Sequence, residues 1–573
     1  MVAMYIDIVP NRGSPPTVLL RESYREGDKV KKRTLTNLSS LSTAQVEAMR
    51  QVLNGRSMVP ADQLFKQVES YHHGHVQAVR MTMQRLGLAN LLASRSSRER
   101  DLVCAMVASQ ILEPASKLAF ARWWQNTTIP QLFGVGSASE DELYDAMDWL
   151  LERQPTTEKK LAARHLKEGG LVLYDLSSSY FEGVTCPLAA LGHNRDGKKG
   201  KLQVNYGLLT DSRGCPVAVS VFKGNCGDPK TLMPQVEKAK KDFDIQRLVL
   251  VGDRGMITQA QIKQLRNRED HDGIDWITAL KGGAIRKLID GKKIQMGLFD
   301  ERNLFEVTSP EFPGERLIAC RNSELGKLRA HKRQSLLEAT EKELEKVHRM
   351  IANGRIEGRD AIGVRVGKVI NKYKMAKHYK LSIGEKSLQW QRQSDKVLAE
   401  AALDGIYVIR TSLEKTEMGT EDTVRSYKQL SVVERAFRSL KSIDLDVRPI
   451  RHHLENRVRA HIFLCVLAYY VKWHMNEAWR PLLFCDEDQA AKKTRDPVAP
   501  AVRSKAALEK AHSKQLEDES PAHSFTTLVQ RLSAIVRNVC HLSGAKTDAT
   551  FEITTTPDST QQRALSLLEA ITV

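Results

Sequence analysis

Two short apolar runs that end in aspartate constrain the fold of this 573-residue chain more than any other feature. LVLYD ends at Asp175, and LVLVGD ends at Asp253. Short apolar runs bounded by turn residues are typical of buried strands. Between them the sequence predicts a hairpin around DSRG and an amphipathic helix, and a further helix and strand follow Asp253. This alternation predicts a mixed α/β sheet.

The hydropathy pattern predicts five regions along the chain. Residues 1–165 are mostly helical after a short strand-like start, and 166–286 hold the first part of the sheet. Residues 287–403 interrupt it with a long charged helix and with the lysine-rich, strand-like runs VGKVINKYKMAKHYKLSI and KSLQWQRQ. The apolar stripe of the long helix consists of Leu337, Leu344, Val347 and Ile351. The α/β pattern resumes over 404–480, and 481–573 reads as a polar linker and a helical C-terminal region, in which FTTLVQRLSAIVRNVC is predicted to form the last helix.

The charge balance indicates a polyanionic partner. Lys and Arg outnumber Asp and Glu by 87 to 69, which gives a formal net charge of +18. Such an excess favours nucleic acid, although a basic protein that merely stays in solution is the alternative. The eight cysteines are scattered without a CxxC pair, which argues against a zinc ribbon or a disulfide scaffold and suits a reducing compartment.

Membrane and export signals are not predicted. The longest apolar stretch, HIFLCVLAYYVKWHM at 461–475, contains Lys472 and reads as a buried helix. The N-terminus lacks the basic start and long apolar run of a signal peptide. We therefore expect a cytoplasmic protein with no membrane partner.

The two aspartates could hold metal ions. If their strands are parallel neighbours, Asp175 and Asp253 emerge at one edge of the sheet, where α/β sheets place their sites. Converging carboxylates bind Mg²⁺ or Mn²⁺, and two such ions can support in-line displacement at phosphorus. An aspartate after a strand is also a common turn former or helix N-cap. For two such residues on a basic chain, both interpretations remain open.

The stretch YKQLSVVERAFRSLK at 427–441 supplies a third candidate carboxylate. Tyr427, Glu434 and Lys441 are spaced seven residues apart, which is about two turns of a helix, so a helix would place them on one face. An ordinary surface pair between Glu434 and Arg438 would explain the glutamate at a few tenths of a kcal/mol. Alternatively, an apolar flank packs the helix onto the sheet and holds Glu434 over the two aspartates, and Tyr427 and Lys441 hold DNA phosphates beside it. This flank consists of Leu430, Val433, Phe437 and Leu440.

The segment GHNRDGKK at 192–199 resembles a phosphate-binding loop but fails its requirements. Lys199 stands where that motif needs Ser or Thr, and the segment precedes a strand rather than following one. We therefore expect no nucleotide cofactor. Lys198 and Lys199 instead form a basic loop that suits DNA phosphates.

Several segments together resemble a DDE transposase of the group related to IS4, in its IS1634-like branch. They include LVLYDLSSSYFEG, VAVSVFKGNCGDPKTL, VLVGDRGM and YKQLSVVERAFRSLKS. The acidic triad of that family falls on Asp175, Asp253 and Glu434. Its signature helix has Tyr, Arg, Glu and Lys at fixed spacing. Leu430 occupies the Arg position here, a departure from the family pattern.

The resemblance implies an RNase H-like core with a mixed five-stranded sheet. An inserted domain interrupts this core, and mostly helical regions flank it. The resemblance also implies that the triad holds Mg²⁺, with Mn²⁺ as a substitute. The basic N-terminal region and the lysine-rich insertion would hold DNA phosphates. The residues expected to contact DNA are Tyr427, Arg438, Lys441, Lys198 and Lys199.

The implied activity is cut-and-paste DNA transposition. The enzyme would cleave at the terminal inverted repeats of an insertion sequence and transfer the released strand into target DNA. It would act as a homodimer that pairs two ends, in association with the bacterial nucleoid. Two alternatives remain open from the sequence: an RNase H-like nuclease that stops at hydrolysis, and an inactive relative that only binds DNA.

Overall fold

A computed structural model describes residues 3–56, 65–267, 272–299, 302–486, 490, 494–542 and 550–572. The chain forms two compact units. One contains Met1–Ser70 and Arg537–Thr555, and the other contains Tyr71–Val536 and Thr556–Val573. The smaller unit is thus assembled from segments near both ends of the sequence. Parts of the predicted linker, 487–489 and 491–493, lie outside the described residues.

The smaller unit is built mainly of strands. An antiparallel sheet has the order β1 (Ala3–Val9), β2 (Thr17–Glu26), β3 (Lys29–Asn37). The helix Thr43–Leu53 follows, and Ser42 caps it by accepting from the backbone N–H of Gln45. A second sheet has the order β16 (Thr550–Thr554), β15 (Val536–Leu542), β4 (Phe65–His72). The strand-like start predicted for the chain therefore extends over residues 3–37.

The C-terminal region differs from its prediction. The sequence FTTLVQRLSAIVRNVC was expected to form one helix, but the helix ends at Ser533 and β15 begins at Val536. Valine and isoleucine in IVRNVC fit a strand as well as a helix, so the apolar spacing alone misleads. Two further helices, Lys505–Ser513 and Ser559–Glu569, belong to this region.

A helical layer opens the larger unit. Its helices are Gly74–Arg85, Leu88–Leu92, Arg98–Leu112, Lys117–Trp124, Ile129–Leu132, Glu140–Glu152 and Gln154–His165. Ser97 and Ser139 cap two of them through their hydroxyl groups. The helix Arg98–Leu112 is buried from Leu102 to Ile111 and packs against Glu140–Glu152 and Glu455–Ala478. Glu455–Ala478 is itself mostly buried, which confirms the prediction for the apolar stretch at 461–475.

Among the described residues, no single helix has the length and apolar character to cross a membrane. The helices Arg98–Leu112 and Lys117–Trp124, bent by 91°, meet that criterion only as a pair, by length and composition.

An eight-stranded mixed sheet organises the larger unit. Across the sheet the strands are β10 (Leu304–Val307), β11 (Arg316–Arg321), β14 (Ile406–Thr411), β9 (Ile274–Ala279), β8 (Leu248–Val251), β5 (Gly170–Tyr180), β6 (Gln203–Asp211) and β7 (Pro216–Lys223). The strands β5, β8 and β9 run parallel, and the remaining pairs are antiparallel. The helices Leu232–Glu237, Gln259–Leu265 and Gly282–Asp290 connect its strands.

The sheet is wider than the five strands expected. Two of the additional strands, β10 and β11, come from residues predicted to be inserted, and β14 joins β9 on the same side. Pairing of Ile409 with Ala279 fixes the antiparallel register between β14 and β9. A buried ion pair between Arg410 and Glu315 ties β14 to the residue before β11.

The remaining insertion is a small body with its own core. It consists of the helices Ser323–Ala352, Arg359–Tyr373 and Ser394–Ala401 with the hairpin β12 (Tyr379–Ile383) and β13 (Leu388–Arg392). The predicted apolar stripe on the long helix is buried at Leu337, Leu344, Val347 and Ile351.

One predicted strand in this body is wrong. The run VGKVINKY is helical because Ile362, Val366 and Val369 repeat at helical spacing and are buried in the body's core. The body enters and leaves the sheet at one place, where the backbone N–H of Asn322 donates to the carbonyl of Gly405 at 2.9 Å.

Candidate active site

Asp175 lies on the central strand β5, between β6 and β8. Its Oδ1 atom accepts a hydrogen bond from the backbone N–H of Leu176 at 2.8 Å. Burial raises the pKa of its carboxyl to about 7, with further contributions from the negative charges of Asp253 and Glu434 and an opposing one from Arg195. Asp175 is thus an acid whose charged form needs a cation close by.

Asp253 follows β8 at the position that matches Asp175. The parallel register pairs Leu173 with Val251, so each aspartate lies two residues beyond this pair. The Oδ1 atom of Asp253 accepts from the backbone N–H groups of Gly255 and Met256 at 2.7 and 2.9 Å. Asp253 therefore does stabilise a turn after its strand, as expected for an aspartate in that position. Its exposed carboxylate also faces the same edge of the sheet as Asp175.

Glu434 comes from the helix Leu430–Arg438, here called the acidic helix, which packs against β5. Its buried face consists of Val433, Ala436 and Phe437, and the centres of the Phe437 and Tyr206 rings are 5.8 Å apart. Glu434 itself is exposed. The helix Thr420–Lys428 precedes it, with one residue between them.

The three carboxylates line one cavity of about 400 Å³, together with Tyr427, Leu430 and other residues. Burial, and then the negative charges of Asp253 and its neighbours, raise the pKa of Tyr427 to about 12. Three carboxylates around one cavity repel each other unless a cation or a proton offsets their charge. Carboxylate oxygens are the ligands that Mg²⁺ and Mn²⁺ prefer, so this donor set fits a divalent metal ion.

The predicted line of Tyr427, Glu434 and Lys441 is only partly formed. Lys441 lies in the π-helical segment Ser439–Ile443 after the acidic helix, and it does not line the cavity. Its side chain is 10% exposed and pairs with Asp196 at 2.9 Å. Lys441 was expected to hold a DNA phosphate, and in the structure its ammonium group pairs with a buried carboxylate from a distant part of the sequence.

The other predicted DNA contacts are exposed. Arg438 projects from the acidic helix, and Lys198 and Lys199 project from the loop at 192–199. The Lys198 ammonium lies 5.8 Å from the centre of the Tyr180 ring. These three residues are open to a ligand.

Some cationic neighbours of the carboxylates were missed from the sequence. Arg195 donates to Asp228 at 2.6 Å and acts on Asp175, while Arg254 and Lys428 line the cavity. Arg254 directly follows Asp253 in VLVGDRGM, so its position was available from the motif. Arg329 reaches the cavity from the inserted body, and no local sequence signal indicates this contact.

A larger cleft of about 1050 Å³ includes Asp253 and extends between the inserted body and the sheet. We call it the basic cleft because nine Lys and Arg residues line it against three acids. Its cations are Arg254, Lys281, Arg286, Arg329, Lys332, Arg333, Lys374, Lys377 and Lys396. A groove with such an excess of positive charge attracts a polyanion.

Comparisons with known proteins concern the family of the chain. A model of the transposase DDE domain matches residues 185–471, and a model of the N-terminal domain of IS1634 family transposases matches residues 6–60. The first range contains Asp253 and Glu434 and begins ten residues after Asp175. No curated protein sequence matches the chain. A solved structure of a piggyBac transposase synaptic complex with hairpin DNA is 8% identical, covering 80% of this chain and 76% of that one, with a TM-score of 0.33.

The domain match covers half of the chain. The chain belongs to the DDE transposases. With its N-terminal match, it is a member of the IS1634 family. It is therefore a transposase, an enzyme of polynucleotidyl transfer that acts on DNA and uses divalent metal ions.

Proposed function

We propose that Asp175, Asp253 and Glu434 hold Mg²⁺, or Mn²⁺ in its place, for cleavage at the ends of an insertion sequence and strand transfer into target DNA. The observation that carries the proposal is the matched register of Asp175 and Asp253 with Glu434 at the same cavity. Bound there, the metal would stabilise the attacking and leaving oxygens of an in-line displacement at phosphorus.

The order of five neighbouring strands supports an RNase H-like core. These strands are β7, β6, β5, β8 and β9, and only β6 runs opposite to the other four. The three further strands widen this core on one side.

The chemistry proposed consists of two displacements at phosphorus. In the first, a water oxygen bonds to phosphorus at the element end, and the bond to the 3′ oxygen breaks, leaving a 3′-OH. In the second, that 3′-OH attacks a target phosphodiester, so one P–O bond forms as another breaks. The transfer step conserves the number of phosphodiester bonds, which is why no nucleotide cofactor is needed.

The protein's own residues have separate tasks in this scheme. Tyr427 lies in the cavity with the carboxylates and would position the strand there. Arg438, Lys198 and Lys199 are exposed cations that would hold its phosphates. The basic cleft would hold the DNA that continues past Asp253. A homodimer that pairs two element ends belongs to the proposal through family membership.

Cleavage of DNA carrying the element's own end tests the proposal. The inverted repeats that flank the gene would supply this substrate. We expect Mg²⁺-dependent cleavage by the wild type and a loss of at least about 100-fold in Asp253→Asn, since metal stabilisation of such displacements is worth several kcal/mol. Asp275→Asn is a matched control on the adjacent strand β9, where the carboxylate accepts from Ser412 Oγ at 2.7 Å. Equal activity in wild type and Asp253→Asn would refute the metal assignment.

Strand transfer needs its own measurement. A pre-cut end with a free 3′-OH, incubated with target DNA, should become joined to it. Cleavage without joining would identify a nuclease that stops at hydrolysis.

A further inference from the structure

Asp196 lies at a junction of three segments beside the proposed active site. Its Oδ1 atom accepts from Lys441 at 2.9 Å and pairs with Arg448 at 2.6 Å. Its Oδ2 atom accepts from the backbone N–H of Tyr180, the last residue of β5, at 3.0 Å. One carboxylate thus connects the loop at 192–199 to three other segments, which are the end of β5, the π-helical segment Ser439–Ile443 and the stretch that contains Arg448.

The carboxylate of this junction is less exposed than either of the two cations that pair with it. The Asp196 side chain is 1% exposed, whereas Lys441 is 10% and Arg448 is 25% exposed. A molecule approaching from solvent therefore meets the two cations, and the carboxylate that holds them lies behind. Burial lowers the pKa of Lys441 while the pairing with Asp196 acts in the opposite sense.

This junction lies close to the carboxylates along both connecting elements. Tyr180 is five residues beyond Asp175 on β5, roughly 16 Å along an extended strand. Lys441 is seven residues beyond Glu434, roughly 10 Å along a helix. At about 3.4 Å per nucleotide, a duplex over the cavity would place a phosphate there three to five nucleotides from the reacting one.

We propose that Asp196 is a positioning residue that holds Lys441 and Arg448 as a binding site for a DNA backbone phosphate. The inference rests on the proposed function, because it assumes that the DNA strand crosses the three-carboxylate cavity. Asp196 does not contact the DNA itself. The same carboxylate also ties the loop that presents Lys198 and Lys199 to the end of β5, through the backbone N–H of Tyr180.

The direction in which Asp196→Asn changes DNA affinity distinguishes a positioning role from a simple effect of net charge. Removing a negative charge from a DNA-binding face should tighten binding if only the net charge matters. If Asp196 positions the cations, Asp196→Asn should weaken binding instead. Each lost phosphate contact should reduce affinity about eightfold at 0.1 M salt and flatten the slope of log K against log salt by about 0.9.

The experiment measures end-DNA binding by fluorescence anisotropy in EDTA from 0.1 to 0.5 M KCl. We expect Asp196→Asn to bind at least about eightfold more weakly at 0.1 M, with a flatter slope. Glu182→Gln is the matched control. Glu182 is an exposed acid two residues after Tyr180, and it pairs at 3.6 Å with Arg451, which lies three residues after Arg448. The control should bind as tightly as the wild type or slightly more tightly.

Lys441→Met and Arg448→Gln keep the carboxylate and test the site independently. Each should flatten the slope of log K against log salt, and Asp196→Asn should add little when both are present.

Tighter or unchanged binding by a folded Asp196→Asn protein overturns the proposal. If that variant does not fold, unchanged slopes for Lys441→Met and Arg448→Gln overturn it. Failure here with Mg²⁺-dependent cleavage intact would leave the proposed function standing, whereas absent cleavage by the wild type would refute that function separately.

Discussion

Replacing Asp175 by asparagine should make the metal-free protein more stable at alkaline pH, although it removes a proposed metal ligand. The pKa of the Asp175 carboxyl is about 7, against an ordinary value of 3.8, mainly because of burial. Between these pH values the native protein keeps a proton that the unfolded chain has released. Asparagine has a similar shape, can accept from Leu176 N–H, and carries no charge at any pH.

The sign and size follow from proton linkage. A raised carboxyl pKa contributes stability that is fully present below the unfolded value of 3.8 and is lost as pH rises toward 7. Each pH unit in this window costs about 1.4 kcal/mol, so the loss is about 3 kcal/mol from pH 5 upward. The stability of Asp175→Asn relative to the wild type should therefore increase by about 3 kcal/mol between pH 5 and pH 8.5.

Urea unfolding in EDTA at pH 5, 6, 7 and 8.5 measures this difference. Asp145→Asn is the control, because Asp145 is exposed on the helix Glu140–Glu152 and should show no such trend. Adding Mg²⁺ at pH 8.5 should stabilise the wild type more than Asp175→Asn, because the cation replaces the missing proton. A difference that stays constant with pH, or that favours the wild type at pH 8.5, would refute the account of Asp175.

Three further substitutions test the scaffold around the site. Glu315→Gln should lower the unfolding free energy by about 3–5 kcal/mol in urea titrations, because it leaves the buried guanidinium of Arg410 without its carboxylate. Leu430→Arg should tighten end-DNA binding several-fold in anisotropy measurements, since an exposed contact between a cation and a phosphate is worth up to about 1 kcal/mol. Gly214→Ala should reduce DNA cleavage more than Gly134→Ala. Both glycines have positive φ, but only a Cβ at Gly214 would meet the acidic helix, at 2.8 Å.

Local sequence patterns were sufficient to find the three carboxylates. LVLYD and LVLVGD are short, apolar and buried, so they place Asp175 within β5 and Asp253 just after β8 without reference to the rest of the fold. Glu434 could be placed by its apolar flank, which does pack against β5. The position of Lys441 could not be predicted, because its partner Asp196 is 245 residues away in sequence.

The edge of the sheet shows a similar limit for the fold. The strand RLIACR follows a stretch rich in Pro and Gly and precedes a long charged helix, so its surroundings suggested an insertion. Its place between β10 and β14 depends on pairing with Ile406–Thr411, about 90 residues later. Such long-range pairing leaves no mark in local periodicity, and the helix at Arg359–Tyr373 was missed because its β-branched residues resemble a strand.

The shared entry and exit point of the inserted body has a consequence for the family's history. Arg321 at the end of β11 already faces Ile406 at the start of β14, and antiparallel neighbours can be joined by two residues. A lineage could gain or lose residues 323–404 without reordering any strand or moving the scaffold of the carboxylates. The lost cations would include Lys332, Lys374 and Lys396 of the basic cleft. Evolution could thus change the DNA-binding surface of the inserted body separately from the catalytic centre.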